Sequence, residues 1–426
     1  MRVIYSLAWL VALPFAFLYL LWRSWRQPAY LRHWGERLGF APLSHTRPVI
    51  WLHAVSVGET RAAAPLVAAL RQRHPDHAIL LTHATPTGRA TSHELFGGKV
   101  RRAYLPYDVP PLVWLFLHRV RPVMGVILET EIWPNLLAAC RHRDIPVLLV
   151  NARLSERSAR GYQRFAPLVR PALADLSAVA AQTEADAGRL RALGAQTVTV
   201  TGNLKFDVTP SPENQAKGVE LRNLFGGRFV FLCASTREGE EALLLDALEG
   251  FDLPDLLVVL VPRHPQRFDA VAALLRERAL PFVRRGEGQP ISLDTRVFLG
   301  DSMGEMDAYY AAADLCYVGG SLLPLGGQNL IEAAAAGCPA LIGPHTWNFL
   351  EAADQAVARG AARRVVDVAE LRSAILALHG DTQARLKMAE AGLDFARANR
   401  GATKRIVSLV EAALNSALTS AGYPGP

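Results

Sequence analysis

The run Gly319-Gly320-Ser321-Leu322-Leu323-Pro324-Leu325-Gly326-Gly327-Gln328-Asn329-Leu330-Ile331-Glu332 sets a glycine-rich turn between an apolar stretch, Leu315 to Val318, and a helical one. Glycines let a phosphate approach the backbone, and a helix N-terminus offers free N–H groups and a positive dipole end. Glu332 falls about one turn into that helix, where a carboxylate can accept ribose hydroxyls. This is the layout of a nucleotide-sugar donor site. The same turn can also serve packing alone in a doubly wound domain.

A second constellation is Trp51-Leu52-His53-Ala54-Val55-Ser56-Val57-Gly58-Glu59-Thr60. A strand ends, a small-residue turn follows, and Glu59 starts a helix. The dipole and nearby N–H groups favour an ionised carboxylate there. Such a group can take a proton from an attacking hydroxyl, or simply start the helix. His53 is a rival base, although a strand-end histidine is more often packed. In Leu128-Glu129-Thr130-Glu131-Ile132-Trp133-Pro134-Asn135, alternation points Glu129 and Glu131 the same way. They could hold acceptor hydroxyls or amines, fix the loop, or serve glycosidase-like chemistry. Arg153 and Arg157 are spaced as one helical turn, to meet anionic groups or to form a solvated face. Ser56 and Gly58 complete the acceptor-side candidates.

The second half supplies further groups at strand ends. Ser235, Thr236 and Arg237 precede a helix and could cradle a phosphate. Arg263 could pair with a phosphate or carboxylate, with His264 beside it. Met303, Gly304 and Glu305 form a tight turn suited to closing over a base or ribose. Lys205 stands near the junction of the halves, within reach of a cleft between them.

These residues need a scaffold that gathers strand ends. From Pro48 onward, apolar runs such as Val49–Ala54, Ala78–Thr82 and Val123–Leu128 alternate with amphipathic stretches such as Thr60–Arg73. That is βαβ alternation and predicts parallel sheets. The segment Asn203–Gly227, with Thr209-Pro210-Ser211-Pro212, reads as a linker with a short helix. Alternation then resumes from Phe229, and Asp367–Leu418 reads as helical. The expected fold class is α/β, in two similar halves. Domain boundaries fall at 1–27 for an anchor, 28–205 for the first α/β domain, and 206–426 for the second with C-terminal helices.

Val3 to Trp22 is nearly free of charge and long enough, at ~30 Å as a helix, to cross a bilayer core. Arg23, Arg26, Arg32 and Arg37 follow it, while only Arg2 precedes. The positive-inside rule places the rest of the chain in the cytoplasm. Trp22-Arg23-Ser24-Trp25-Arg26 is a poor cleavage site, so a retained anchor is preferred to a signal peptide. The chain carries a formal charge of +7, which suits a nucleic acid, an anionic membrane or a phosphorylated substrate. No RNA-binding signature, zinc-finger spacing or dense Lys/Arg block supports the first of these. The four cysteines are scattered without a C-x-x-C, against a disulfide framework or a zinc site.

Taken together, the blocks resemble the Kdo transferase family. They are H-A-V-S-V-G-E, E-T-E-I-W-P-N, N-A-R-L-S-E-R-S, T-G-N-L-K-F-D, A-S-T-R-E-G-E-E, V-P-R-H-P-Q-R-F, G-D-S-M-G-E-M and G-G-S-L-L-P-L-G-G-Q-N-L-I-E-A. The resemblance spans nearly the whole chain. It implies a GT-B fold of two Rossmann-like domains, with acceptor bound by the first and donor by the second. It also implies inverting transfer of 3-deoxy-D-manno-octulosonic acid (Kdo) from CMP-Kdo to the 6′-hydroxyl of lipid IVA, the lipid A precursor, at the cytoplasmic face of the bacterial inner membrane. By motif position, Glu59 becomes the base. Arg263, Met303-Gly304-Glu305, Asn329 and Glu332 fall on the CMP side, and Gly320 and Ser321 shape the phosphate region. Lacking a D-x-D pair in a suitable loop, the chain is expected to need no metal and no cofactor. The nearest alternative is another GT-B glycosyltransferase with a UDP-sugar donor. An epimerase or hydrolase, and a non-catalytic nucleotide sensor, are more distant.

Overall fold

Short runs of Val, Leu, Ile and Phe, too brief for helices and apolar on both faces, form the centre of each half. The computed structural model describes residues 1–42, 47–207 and 212–420. In the first half, β1 (Val49–His53), β2 (Ala78–His83), β3 (Arg101–Tyr104), β4 (Pro122–Leu128), β5 (Val147–Ala152), β6 (Ala178–Ala181) and β7 (Val198–Val200) pair in the order β3-β2-β1-β4-β5-β6-β7. In the second, β8 (Phe229–Thr236), β9 (Leu256–Pro262), β10 (Phe282–Arg284), β11 (Val297–Leu299), β12 (Leu315–Val318), β13 (Ala340–Ile342) and β14 (Ala362–Arg364) pair in the order β10-β11-β9-β8-β12-β13-β14. Pairing is parallel throughout; His53 stands opposite Thr82 and Ile127, and Val318 opposite Ala234. Each order reverses direction beside its first strand, at β1/β4 and at β8/β12. Loops leaving such a switch point diverge and open a crevice at the strand ends.

Both faces of β1 are covered, as a parallel strand requires. Trp51 packs with Phe116, Leu136 and Leu173 on one side, whereas Ile50 and Leu52 pack with Leu66 and Leu70 on the other. The helical stretch expected over Thr60–Arg73 is two helices, Val57–Ala62 and Ala64–Arg73, the second opening on Pro65. Proline lacks the N–H that a continuous helix would need there. Strand β14 has no apolar pattern, two of its three residues being arginines; pairing with β13 defines it. Residues 209–211 of the expected linker lie outside the described residues, and Pro212–Phe225 is a 14-residue helix.

The chain forms two compact units, residues 1–207 with the segment from Arg400, and residues 208–399. The second domain expected from sequence included everything to the C-terminus. Instead the last helix, Ala402–Ser420, packs on the first unit. Ile406, Val410 and Leu414, at four-residue spacing, bury in the cluster holding Leu66 and Leu70. Asp207 accepts from the N–H groups of Gly401, at 2.6 Å, and Thr403, capping this helix from the far end of the first unit. Arg73 pairs with Glu411 at 2.9 Å.

The N-terminal helix, Arg2–Ser24, is long and apolar enough to cross a membrane. One of its faces lies on the first unit: Trp9 and Phe17 pack on Tyr107, and Phe17 on Trp34. Arg37, one of the four arginines that follow the apolar stretch, is buried. It donates to the Ala84 carbonyl and stacks over Tyr104.

Close approach at the β8/β12 switch demands glycine. A Cβ on Gly319 would stand 2.4 Å from the Ser235 carbonyl oxygen and 2.8 Å from that of Ala234, both backbone. Gly319→Ala should therefore cost about 1–3 kcal/mol in urea unfolding. Gly380→Ala, with nothing within 4 Å, should cost nothing comparable.

Candidate active site

In the first unit the chain leaves β1 at His53 and turns into the helix Val57–Ala62. Ser56 is the N-cap, and its hydroxyl oxygen accepts from the Glu59 N–H at 3.3 Å. Glu59 folds back: one carboxylate oxygen accepts from the Val55 N–H at 2.7 Å and the other from the Ser56 hydroxyl at 3.0 Å. This is a capping box, which fixes the carboxylate to the turn. Gly58 is an exposed residue of the same turn.

Dipole and N–H groups predict an ionised Glu59, but the structure reverses the sign. Burial pushes its carboxyl up to about 7, and Glu129 and then Glu131 add to the rise. The Val55 N–H and the Ser56 hydroxyl oppose it without prevailing. Two hydrogen bonds do not replace lost solvation when like charges stand nearby. Burial acts on the rival base as well. His53 is fully buried, and burial followed by His83 lowers its imidazole to about 3. Its Nδ1 sits 2.9 Å from the Thr82 hydroxyl, which also accepts from the Trp51 indole.

Strand β4 ends at Leu128, three residues short of the Glu131 that strand alternation would have to reach. Glu129 turns out with a φ of 57°, and its N–H donates to the Val150 carbonyl. Thr130 donates to the Arg153 carbonyl, tying this loop to the turn after β5. Glu131 is itself raised, by burial and then by Glu129. Loop geometry, not strand period, thus brings the three carboxylates within electrostatic reach. Arg153 precedes the helix Glu156–Gln163, so it does not share a helical turn with Arg157; both are exposed. Lys205 belongs to the first unit, in the short turn Leu204–Asp207, half-buried.

In the second unit the glycine turn is already engaged. Glu240 is fully buried at the start of the helix Glu240–Leu248. Its carboxylate accepts from the N–H groups of Gly320 (2.5 Å), Ser321 (3.1 Å), Leu322 (3.3 Å) and Arg237 (3.0 Å), and from the Tyr317 hydroxyl (2.7 Å). Ser321 is buried and donates to the Val318 carbonyl, while accepting from the Gly343 N–H. The amides of Gly320 and Ser321, assigned from sequence to a phosphate, therefore hold an internal carboxylate. The turn is shaped by that anion.

Around this turn the ends of β8, β9 and β12 converge. Arg263 donates to the Gln328 side chain at 3.2 Å, and its N–H to the Thr236 carbonyl. Burial first, then Arg237 and Arg263, lower the His264 imidazole. Two guanidinium groups near one neutral ring make a region that favours anions. Ser235 holds a φ of 55° and hydrogen-bonds the Met306 sulfur. Met303 is half exposed, Gly304 has a φ of 80°, and Glu305 pairs with Lys217 (3.1 Å) and Arg285 (3.4 Å). Burial alone would raise Glu305; hydrogen bonds from Ser302, Lys217 and Arg285 outweigh it and hold the carboxyl low. Asn329 caps the helix Leu330–Ala335 through the Ile331 N–H and donates to Glu332 at 2.9 Å. Among the described residues, no three His, Cys, Asp or Glu side chains are grouped to hold a metal ion.

Residues 32–208 match the family model described as 3-deoxy-D-manno-octulosonic-acid transferase. The chain is 44% identical over 431 residues to the 3-deoxy-D-manno-octulosonic acid transferase of Bordetella pertussis, covering 96% of this chain and 99% of that protein. It is 36% identical to the one of Haemophilus influenzae, covering 96% and 98%. The chain belongs to the Kdo transferase family. A UDP-GlcNAc 2-epimerase from Neisseria meningitidis, 17% identical, superposes over 85% of this chain and 99% of its own with a TM-score of 0.58. The fold is therefore GT-B, and the protein is a glycosyltransferase enzyme.

Sequence reasoning missed two positions in this Kdo transferase. Glu240, in Arg237-Glu238-Gly239-Glu240-Glu241, reads as one of several helix-start acids. The signal was Gly239, whose φ of 90° turns the next residue inward. Asp108, between Tyr107 and Val109, caps the helix Pro134–Arg141 through the Asn135 and Leu136 N–H groups, at 3.0 and 2.8 Å. Removing the Glu240 carboxylate strands several buried donors, each about 1–3 kcal/mol when unpaired. Glu240→Ala should lower the stability of the second unit by at least about 3 kcal/mol in urea unfolding. Glu238→Ala, exposed on the same turn, should change it little.

Proposed function

We propose that this Kdo transferase moves Kdo from CMP-Kdo to the 6′-hydroxyl of lipid IVA with inversion, with Glu59 as general base. The observation that carries the reading is the Glu59 carboxylate, fixed by Val55 and Ser56 and raised to about 7 beside Glu129 and Glu131. A base near neutrality has the balance of ionised fraction and basicity that proton transfer needs at cellular pH. Glu59 takes the hydroxyl proton as the oxygen attacks C2 of Kdo. The bond from C2 to the CMP phosphate oxygen breaks, and CMP leaves from the opposite side. The sugar's own carboxylate offsets positive charge developing at C2.

Arg263 and Arg237 are the cationic groups that would receive the charge of departing CMP. Glu332, Asn329 and the Met303–Glu305 turn would hold its nucleoside. Glu129 and Glu131 would accept hydrogen bonds from acceptor hydroxyls or amines, and no metal or cofactor is needed in this scheme. The exposed apolar face of the helix Arg2–Ser24 supports attachment at the cytoplasmic face of the inner membrane, where a lipid acceptor resides.

Purified protein incubated with CMP-Kdo and lipid IVA should yield lipid heavier by one or more Kdo units, with CMP released. CMP release without a lipid product would instead indicate hydrolysis, and inhibition by UDP but not CMP a UDP-sugar donor. Glu59→Gln should reduce turnover by ~10²–10⁴-fold, with CMP binding retained. Near-normal turnover would end the base assignment.

The acid limb of the kcat/KM profile should lie near pH 7, following Glu59. Glu129→Gln removes a like charge, so that limb should move to lower pH; an upward or absent shift would contradict the coupling. Stability carries the same signature. Between the ordinary value of 4.5 and about 7 the folded chain keeps the Glu59 proton that the unfolded chain releases. This group's stabilising contribution is therefore present below that window and is lost as pH rises through it. Glu59→Gln should flatten that part of the thermal-stability profile.

A further inference from the structure

The N-terminal helix touches the first unit from one end to the other. At its start, Met1, Arg2 and Val3 border a hollow of about 330 Å³ with Pro134, Leu168, Pro171 and Asp175. One turn on, Ser6 donates to the Asn135 side chain at 3.1 Å, and Tyr5 hydrogen-bonds Asp108. Trp9 and then Phe17 pack on Tyr107, and Phe17 reaches Trp34. Leu20 and Ser24 are buried, and Arg23 lies over the Tyr30 ring at 4.9 Å. The contacts recur at helical spacing along 23 residues, about 34 Å.

A helix docked in this way cannot also cross a bilayer. Crossing would carry Asp108, Asn135, Asp175 and the exposed Arg170 to the far side of the hydrocarbon, together with the loops beside them. Open loops and charged groups are not tolerated there against lipid. The opposite face of the helix is apolar and uncovered: Val3, Leu7, Val11, Phe15, Leu18 and Trp22 are each more than half exposed, at spacings of three and four. Trp25 continues it, and Arg23, Arg26 and Arg32 are exposed at its end. Aromatic rings and arginines at the edge of an apolar stripe match the head-group level of an anionic leaflet.

We infer that the helix Arg2–Ser24 lies in the plane of one leaflet, its inner face docked on the first unit and its outer face in lipid, and does not span the bilayer. This rests on the membrane attachment proposed above and specifies its geometry. The face that an isolated interfacial helix turns to water is here turned to protein, so high overall hydropathy no longer requires spanning. The helix start, held through Ser6 on Asn135, is joined to the segment that follows Glu129 and Glu131. The leaflet surface and the acceptor-side carboxylates thus share one rigid support.

The test uses the full chain in sealed bacterial membrane vesicles of both orientations, with Arg2→Cys or Arg26→Cys and a membrane-impermeant maleimide. The four native cysteines are buried and give little background. In-plane geometry predicts that both introduced cysteines label in the same vesicle orientation and lose labelling in the other. Labelling of the two in opposite orientations, with the protein firmly in the membrane fraction, would overturn the in-plane geometry and leave attachment standing. Recovery of the chain in the soluble fraction would overturn attachment itself, and the inference with it.

Discussion

Each unit of this Kdo transferase places a carboxylate in the first turn of the helix that follows its first strand, at the switch point of its sheet. What the neighbouring loop offers that carboxylate decides the character of the unit. After β12 the loop presents backbone amides, and Glu240 is satisfied by four N–H groups and a tyrosine hydroxyl. After β4 the loop presents Glu129 and Glu131, and Glu59 is left with two donors and two like charges. One anion is a structural pin; the other is held short of full ionisation at neutral pH. The same backbone plan therefore yields a fully satisfied anion in one unit and a carboxyl with a raised pKa in the other.

The supporting contacts follow this division. Ser56 and Val55 aim Glu59 without neutralising the effect of burial. Thr130 and Asn151 brace the loops next to it: Asn151, at a φ of 53°, accepts from the Leu204 N–H and so ties β5 to the end of the first unit. In the second unit, Lys217 and Arg285 hold Glu305, and Glu240 holds the glycine turn. Arg237 and Arg263 stand where these fixed loops meet.

Much of this was legible in the chain. Apolar runs between turn residues marked β1, β2, β4 and β12; β14 escaped, since two arginines in three residues carry no strand pattern. Motif blocks identified the family, put Arg263 just past a strand end and put Glu59 and Glu332 in the first turns of helices that follow strands. The sign of the Glu59 shift was not legible. A helix-start carboxylate reads as stabilised, and only burial with two distant glutamates reverses the balance. The role of Glu240 was equally hidden, because its partners lie about eighty residues away. Contacts formed across such distances have no local pattern, and the return of the last helix to the first unit is the extreme case.

That return makes the second unit an insertion in the first. Synthesis delivers the N-terminal helix and all seven strands of the first sheet long before Ile406, Val410 and Leu414 leave the ribosome. Until then one side of Leu66 and Leu70 faces solvent. Burial of each missing side chain contributes about 1.5–3 kcal/mol, so together they rival the whole stability margin of a domain, ~5–15 kcal/mol. The first unit to be made is thus the last to be finished. A nascent chain halted before residue 400 would hold a complete second sheet while the first unit kept an open apolar face, a species for chaperones to guard or proteases to clear.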